Sequence, residues 1–291
     1  MLEPRWCFRL SVWLLALPAC VQRARPPVWS GAAPGAPPAP STPPPQPPPT
    51  KSGTVTLLQN LDSAGHAQYL VVAGFAGASS RYPSSRCTQL VQDDCKLSDC
   101  SYDTRQTPQG LAPQVSAGAI EVHGARIPLT LMPDAGGRYR QEAGPGPLWV
   151  EGGALTVSAS GADVPPFVLS LPRMGLVRMT NPTGSGVASA AVDRLVPLSV
   201  TWTGSSVGQV AVTVLSFEQG PRDHHTVSIH CVYSAALGGA TVPAALVARL
   251  IAGSVGTISL SGRVTTEVRA GEWLVIGTAL SGDTTVQATY R

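Results

Sequence analysis

Lysine is almost missing from this chain: Lys51 and Lys96 are the only two in 291 residues, and arginine carries the rest of the positive charge. Charged residues make up 13% of the whole, the formal net charge is +3, and no cluster of basic residues interleaves with aromatics. Proteins that grip nucleic acid need a dense basic footprint, so a nucleic-acid partner is excluded. Beyond the first twenty positions no run of about 18 apolar residues occurs, which leaves no segment long enough to cross a bilayer as a helix. No Asn-x-Ser/Thr acceptor exists, since Asn181 precedes Pro182. Helical periodicity is missing too: no stretch of about 12 residues keeps its apolar positions at a 3.6 spacing. The shortage of lysine beside plentiful Ala, Gly, Pro and Val marks a high-GC genome and carries no functional message.

What is present begins with an address. Arg5 and Arg9 precede an uncharged apolar run over residues 10–17, and Pro18-Ala19 then breaks it before Cys20. A basic start, an apolar core of about 7–15 residues and a small-residue end describe a secretory signal. Leu17, Ala19 and Cys20 resemble the lipobox of bacterial lipoproteins, with Pro18 departing from its usual small residue. The resemblance implies a lipoprotein-type signal peptide over 1–20 and a lipidated Cys20, anchored because each buried CH₂ contributes ~0.8 kcal/mol. Ordinary cleavage after Ala19 is the alternative. Val21 stands where enteric lipoproteins of the inner membrane resemble one another in carrying Asp, so the outer membrane is the expected destination.

Residues 21–53 are dominated by Pro, Ala, Ser and Gly, with two triple-proline runs near their end. Proline fixes φ and removes amide donors, so this stretch reads as a disordered polyproline-II spacer. At ~3.1 Å per residue it reaches roughly 80 Å.

The remainder predicts an all-β fold, with two β-sandwich-like domains over 54–193 and 194–291. In the first, short apolar runs at 69–75, 119–122, 127–132, 148–150, 155–160, 167–171 and 176–180 alternate with Gly/Pro junctions such as Gly144-Pro145-Gly146-Pro147. In the second, 198–202 and 226–233 alternate apolar and polar residues, and 209–217 is nearly all apolar. Further strands at 257–260, 263–268, 273–279 and 284–290 bring the total to about seven, the signature of an immunoglobulin-like sandwich. One short helix interrupts them, opened by Pro243 and closed by Gly253.

Candidate chemistry is sparse. Cys87, Cys95, Cys100 and Cys231 are an even set and read as disulfide candidates in an oxidising compartment. Four cysteines allow three connectivities; the expected one is a local Cys87–Cys95 loop with Cys100–Cys231 joining the two halves. Zinc is disfavoured because the spacing lacks a matching second pair. Asp93 and Asp94 are weak Ca²⁺ candidates, outweighed by a solvated acidic loop. Gly204-Ser205-Ser206-Val207-Gly208 matches the G-x-S-x-G elbow, with Asp223 as orienter and His225 as base. The elbow needs a helix after the serine, whereas 209–217 reads as strand, so a hairpin turn is expected. His224 and His225 are weak metal candidates expected at a polar hairpin tip. No cofactor is implied. As stacking platforms for a glycan, Tyr102, Tyr139 and Trp149 lie in turn-rich surroundings.

Cys87-x₇-Cys95-x₄-Cys100, the strand at 198–202, and the strand at 227–233 followed by Thr241-Val242-Pro243-Ala244-Ala245-Leu246 are similar to uncharacterised β-rich envelope lipoproteins of high-GC Gram-negative bacteria. The resemblance implies location and fold, and no activity. The leading expectation is therefore an envelope-anchored lipoprotein with a non-catalytic binding or structural role, meeting the membrane through its lipid and an envelope protein or glycan through its β-domains. The alternative is a secreted hydrolase or metal-dependent enzyme using loops at the sandwich ends.

Overall fold

The computed structural model describes residues 48–61, 66–77, 86–103, 113–141, 144–183, 189–219 and 223–291. The signal, Cys20 and the spacer up to residue 47 lie outside them. From Pro47 onward the chain forms one compact unit, nearly all β.

The strands run in chain order as β1 (Lys51–Leu61), β2 (Ala67–Ala76), β3 (Arg86–Gln92), β4 (Cys95–Asp103), β5 (Ile120–His123), β6 (Leu129–Leu131) and β7 (Tyr139–Gln141). They continue as β8 (Ala154–Ala159), β9 (Phe167–Pro172), β10 (Arg178–Asn181), β11 (Ala190–Val192) and β12 (Leu198–Thr203). The last are β13 (Gln209–Gln219), β14 (Asp223–Ser234), β15 (Gly239–Val242), β16 (Val255–Ala270) and β17 (Trp273–Tyr290), with the single-turn helix α1 (Ala244–Val247) before β16. A ten-stranded sheet has the order β3-β4-β14-β13-β16-β17-β1-β2-β7, with β11 beside the end of β17. A four-stranded sheet, β6-β5-β8-β9, and a three-stranded sheet, β10-β12-β15, complete the fold.

The large sheet buries one face. Along β9 the residues Phe167, Leu169 and Leu171 are buried while Val168 and Ser170 are exposed, the period-2 pattern of a strand covered on one side. They meet Val55, Leu57, Val71, Phe75, Trp273 and Val275 in a first core, where Phe75 lies 5.9 Å from Phe167 and 6.3 Å from Trp273. A second core gathers Val200 and Trp202 from β12, Leu246, Val247 and Leu250 from α1 and beyond, and Val212, Val214, Ile229 and Leu260 from the large sheet. The architecture is thus sandwich-like, with one long sheet opposed by two small ones.

That arrangement revises the expected boundary at 193/194. The β16–β17 hairpin serves both cores: Ile258 and Leu260 belong to the second, Ala270, Trp273 and Val275 to the first. β1 lies parallel to β17, pairing Lys51 with Trp273 through Gln59 with Ser281. The β3–β4 hairpin from the first region extends the second region's sheet through β14. Neither region closes its sheets alone.

β16 and β17 also replace four expected strands by two. Their break in the sequence is a register shift at Ser261/Gly262, where Gly282 is the extra residue of a bulge. Gly282 has φ +71, and a Cβ there would lie 2.0 Å from the Val177 carbonyl oxygen. Only glycine fits that approach.

The spacer ends sooner than expected. Lys51, Ser52 and Gly53 are the first residues of β1, which is paired on both sides. A Cβ on Gly53 would sit 2.2 Å from the Phe75 ring, so this glycine makes room for a core aromatic. By contrast residues 148–150 form no strand, although Leu148 and Trp149 are buried.

Candidate functional site

The two disulfides are Cys87–Cys100 and Cys95–Cys231. The expected Cys87–Cys95 and Cys100–Cys231 pairing is corrected, and the reason is register. The β3–β4 hairpin turns at Asp93-Asp94, with Asp93 at φ +52, a left-handed position that Asp tolerates. This turn sets Cys87 opposite Cys100 and Gln92 opposite Cys95. On the other side of β4, Cys95 faces Cys231 while Cys100 faces Thr226. Cys95 and Cys100 are an odd number of positions apart, so they project to opposite faces of the sheet. Cys95–Cys231 is buried against the second core, and Cys87–Cys100 is on the outer face. Disulfides of this kind are compatible with an exported protein.

The serine-based arrangement comes apart. Residues 204–208 join β12 to β13, which belong to different sheets, so they are a crossing between layers instead of the expected hairpin turn. The next element is the strand β13, not a helix, and no elbow forms. Ser206 is exposed, just ahead of the first β13 residue, Gln209. His225 pairs with Glu218 at the far end of β13. From 209 to 218 is nine steps of ~3.4 Å, which puts Ser206 and His225 about 30 Å apart. The side chain of Asp223 lies outside the described residues.

The metal candidates are equally dispersed. His224 and His225 belong to β14 itself instead of a hairpin tip, and successive strand residues point to opposite faces. His225 Nε2 lies 2.8 Å from Asp99 Oδ1, a half-exposed pair between β14 and β4. Asp93 and Asp94 sit at the other end of β4, six steps or ~20 Å along the strand from Ser101, which pairs with His225. Among the described residues no cluster of three or more His, Cys, Asp or Glu side chains could hold a metal ion.

Two of the proposed glycan platforms are core residues. Tyr139 and Trp149 are each 1% exposed. The Tyr139 hydroxyl donates to the Gly118 carbonyl at 2.9 Å and accepts from the Ala117 amide at 2.7 Å. Trp149 Nε1 donates to the Met174 carbonyl at 2.8 Å. The side chain of Tyr102 lies outside the described residues.

Trp149 belongs to a buried polar network where the two cores meet. Its backbone N–H donates to Gln59 Oε1 at 3.2 Å, and Gln59 Nε2 donates to Ser281 Oγ at 3.4 Å. Ser281 Oγ donates in turn to the Gly175 carbonyl at 2.8 Å. Close by, Ser205 Oγ donates to Glu151 Oε1 at 2.8 Å, so the literal motif contributes its first serine to structure. Gln59 and Ser281 are fully enclosed, and satisfied polar groups of this kind hold one arrangement of the surrounding chain. Nothing local in the sequence marks Gln59, whose partners are some 90 and 222 positions away.

Concave surface lies at the other end of the first core. Two open clefts of about 450 and 540 Å³ share the strap at residues 145–147. Tyr69 and Leu148 floor the first, with exposed Arg126 and Ile127 at its rim. His66, Ala67 and Gln68 line the second. The strap is tied down by the Gly146 amide donating to the Ala67 carbonyl at 2.7 Å. An apolar floor with one guanidinium at the rim suits a small apolar group bearing negative charge. The Gly-Pro-Gly-Pro segment was legible as a junction, and its repeated prolines were the available signal for a rigid strap. Comparison with family models, with curated proteins and with solved structures finds no match to this chain.

Proposed function

We propose that the chain is an exported envelope lipoprotein, held through Cys20 and displaying its β body for a non-catalytic binding or structural role. The observation that carries this reading is the pair of disulfides, Cys87–Cys100 and Cys95–Cys231, since such bonds persist in oxidising compartments. It agrees with the basic and apolar leader, with Leu17-Pro18-Ala19-Cys20, and with the proline-rich spacer. The spacer gives the body reach from an anchored surface, and the dispersal of Ser206, His225 and the acidic residues favours binding over chemistry.

Fractionation of cells, followed by mass spectrometry of the N-terminal peptide, tests the anchor. The expected result is an envelope-associated chain beginning at an acylated Cys20. An unmodified Cys20 or a freely secreted product overturns it. Capture of envelope proteins and glycans on the purified chain tests the role, and hydrolase activity lost in Ser206→Ala or His225→Ala would overturn it.

A further inference from the structure

We infer that β3 is a self-pairing edge, through which two copies of this chain join their large sheets into one continuous sheet across a two-fold axis. β3 ends the ten-stranded sheet, and among the described residues no strand lies beyond it. Its relation to β4 fixes which backbone groups look outward. Directly opposed residues of an antiparallel pair alternate between a close, non-hydrogen-bonded pair near 4.5 Å and a hydrogen-bonded pair near 5.5 Å. Cys87 and Cys100 have Cα atoms 4.1 Å apart, so they form a close pair. Counting along β3, Thr88, Leu90 and Gln92 exchange their hydrogen bonds with β4. The amide and carbonyl groups of Gln89 and Val91 therefore point away from the sheet.

Native sheets protect such edges with proline, lysine, inward charges or bulges. From Cys87 to Gln92 the strand has no proline, no lysine and no charge, and its register with β4 is unbroken. Leu90 is 47% exposed and Val91 70% exposed. The edge is also covalently held: Cys87–Cys100 ties β3 to β4, and Cys95–Cys231 ties β4 to β14. An edge already ordered loses little conformational freedom on accepting a strand.

A second copy fits this edge in one register. Placing Leu90 opposite the partner's Leu90 makes a close pair, because its own hydrogen bonds go to β4. Gln89 then lies opposite the partner's Val91, and each exchanges two hydrogen bonds, giving an isologous interface. Leu90 shares the face of Leu97, which is 2% exposed in the second core, so the two leucines extend the apolar layer across the axis.

The inference does not depend on the lipid anchor. Its test is the particle mass of the full chain purified in mild detergent, measured by light scattering with the detergent contribution subtracted. Two chains per particle are expected. Val91→Pro removes an outward amide while leaving the β3–β4 bonds intact, so it is expected to give one chain per particle with both disulfides and the β spectrum retained. Leu90→Cys is expected to form an intermolecular disulfide, and Val255→Cys, 52% exposed elsewhere on the surface, is not. A wild-type particle of one chain overturns the inference. So does a two-chain particle that Val91→Pro leaves intact, or a strand of another protein found on the edge.

Discussion

Cys95 and Cys231 face each other directly across β4 and β14, with Cα atoms 4.0 Å apart and 136 positions between them in sequence. Cys87–Cys100 closes a loop of only 13. Cross-linking restricts the unfolded chain more as the closed loop lengthens, about 3 kcal/mol near 15 residues and nearer 5 beyond 100. Replacing Cys95 and Cys231 together by alanine is therefore expected to cost more stability than replacing Cys87 and Cys100. The former pair is also buried, which adds a packing loss. Urea midpoints of the two double variants, at equal slope, measure the order; a reversed or equal order refutes it.

Gly282 and Gly253 share nearly the same positive φ, +71 and +70, in different surroundings. A Cβ on Gly282 meets the Val177 carbonyl at 2.0 Å, whereas one on Gly253 meets nothing within 4 Å. Gly253→Ala is expected to cost about 1 kcal/mol from backbone strain alone. Gly282→Ala adds a backbone collision at the crossing of the two cores and is expected to cost about 3 kcal/mol or more. Denaturant unfolding of the two variants separates strain from clash, and equal losses would show that the 173–177 segment yields freely.

Gln59 is the pivot of the buried network, accepting from the Trp149 amide and donating to Ser281. Gln59→Leu leaves that amide without its acceptor in an enclosed site, a loss of about 1–3 kcal/mol. Thr54→Val, on the exposed face of the same strand, is expected to change stability by less than ~0.5 kcal/mol. Thermal unfolding of both variants checks the contrast, and an unchanged Gln59→Leu melting temperature would show that the network contributes nothing to stability.

Burial, and secondarily the neighbouring Arg263, holds the His230 imidazole below its ordinary value of 6.5. The unfolded chain therefore binds this proton more readily than the folded one. The stability associated with neutral His230 is full above pH 6.5 and is lost as the pH falls from there through the lower folded value. His230→Gln is expected to flatten that part of the stability profile, read as the difference between variant and wild-type unfolding curves above and below pH 6.5. A difference independent of pH would exclude His230 as a contributor.

Local pattern carried much of the fold. Alternation at 198–202 and 226–233 matches β12 and β14 because one face of each is buried. β3 and β4 escaped notice because their outer-edge position leaves Thr88, Gln89 and Ser98 polar on both faces, and a cysteine-rich polar stretch reads as loop. β1 escaped in part because Lys51-Ser52-Gly53 continues the small-residue composition of the spacer. The candidate chemistry was legible as residue types and illegible as distances. Whether Ser206 and His225 could meet depends on β12 and β13 entering different sheets, which no spacing along the chain encodes.

The sequence by itself determined the all-β class, the exported character expected of the leader, and a set of cysteines ready to pair. These depend on local composition and period. Tertiary structure alone decided which cysteines pair, that two cores share the β16–β17 hairpin, and which edge of the large sheet stays open. The reason is physical: strand neighbours are chosen by hydrogen-bond register and buried area between segments far apart in the chain, such as Gln59 and Ser281, and those choices are made only when the sheets close over their cores.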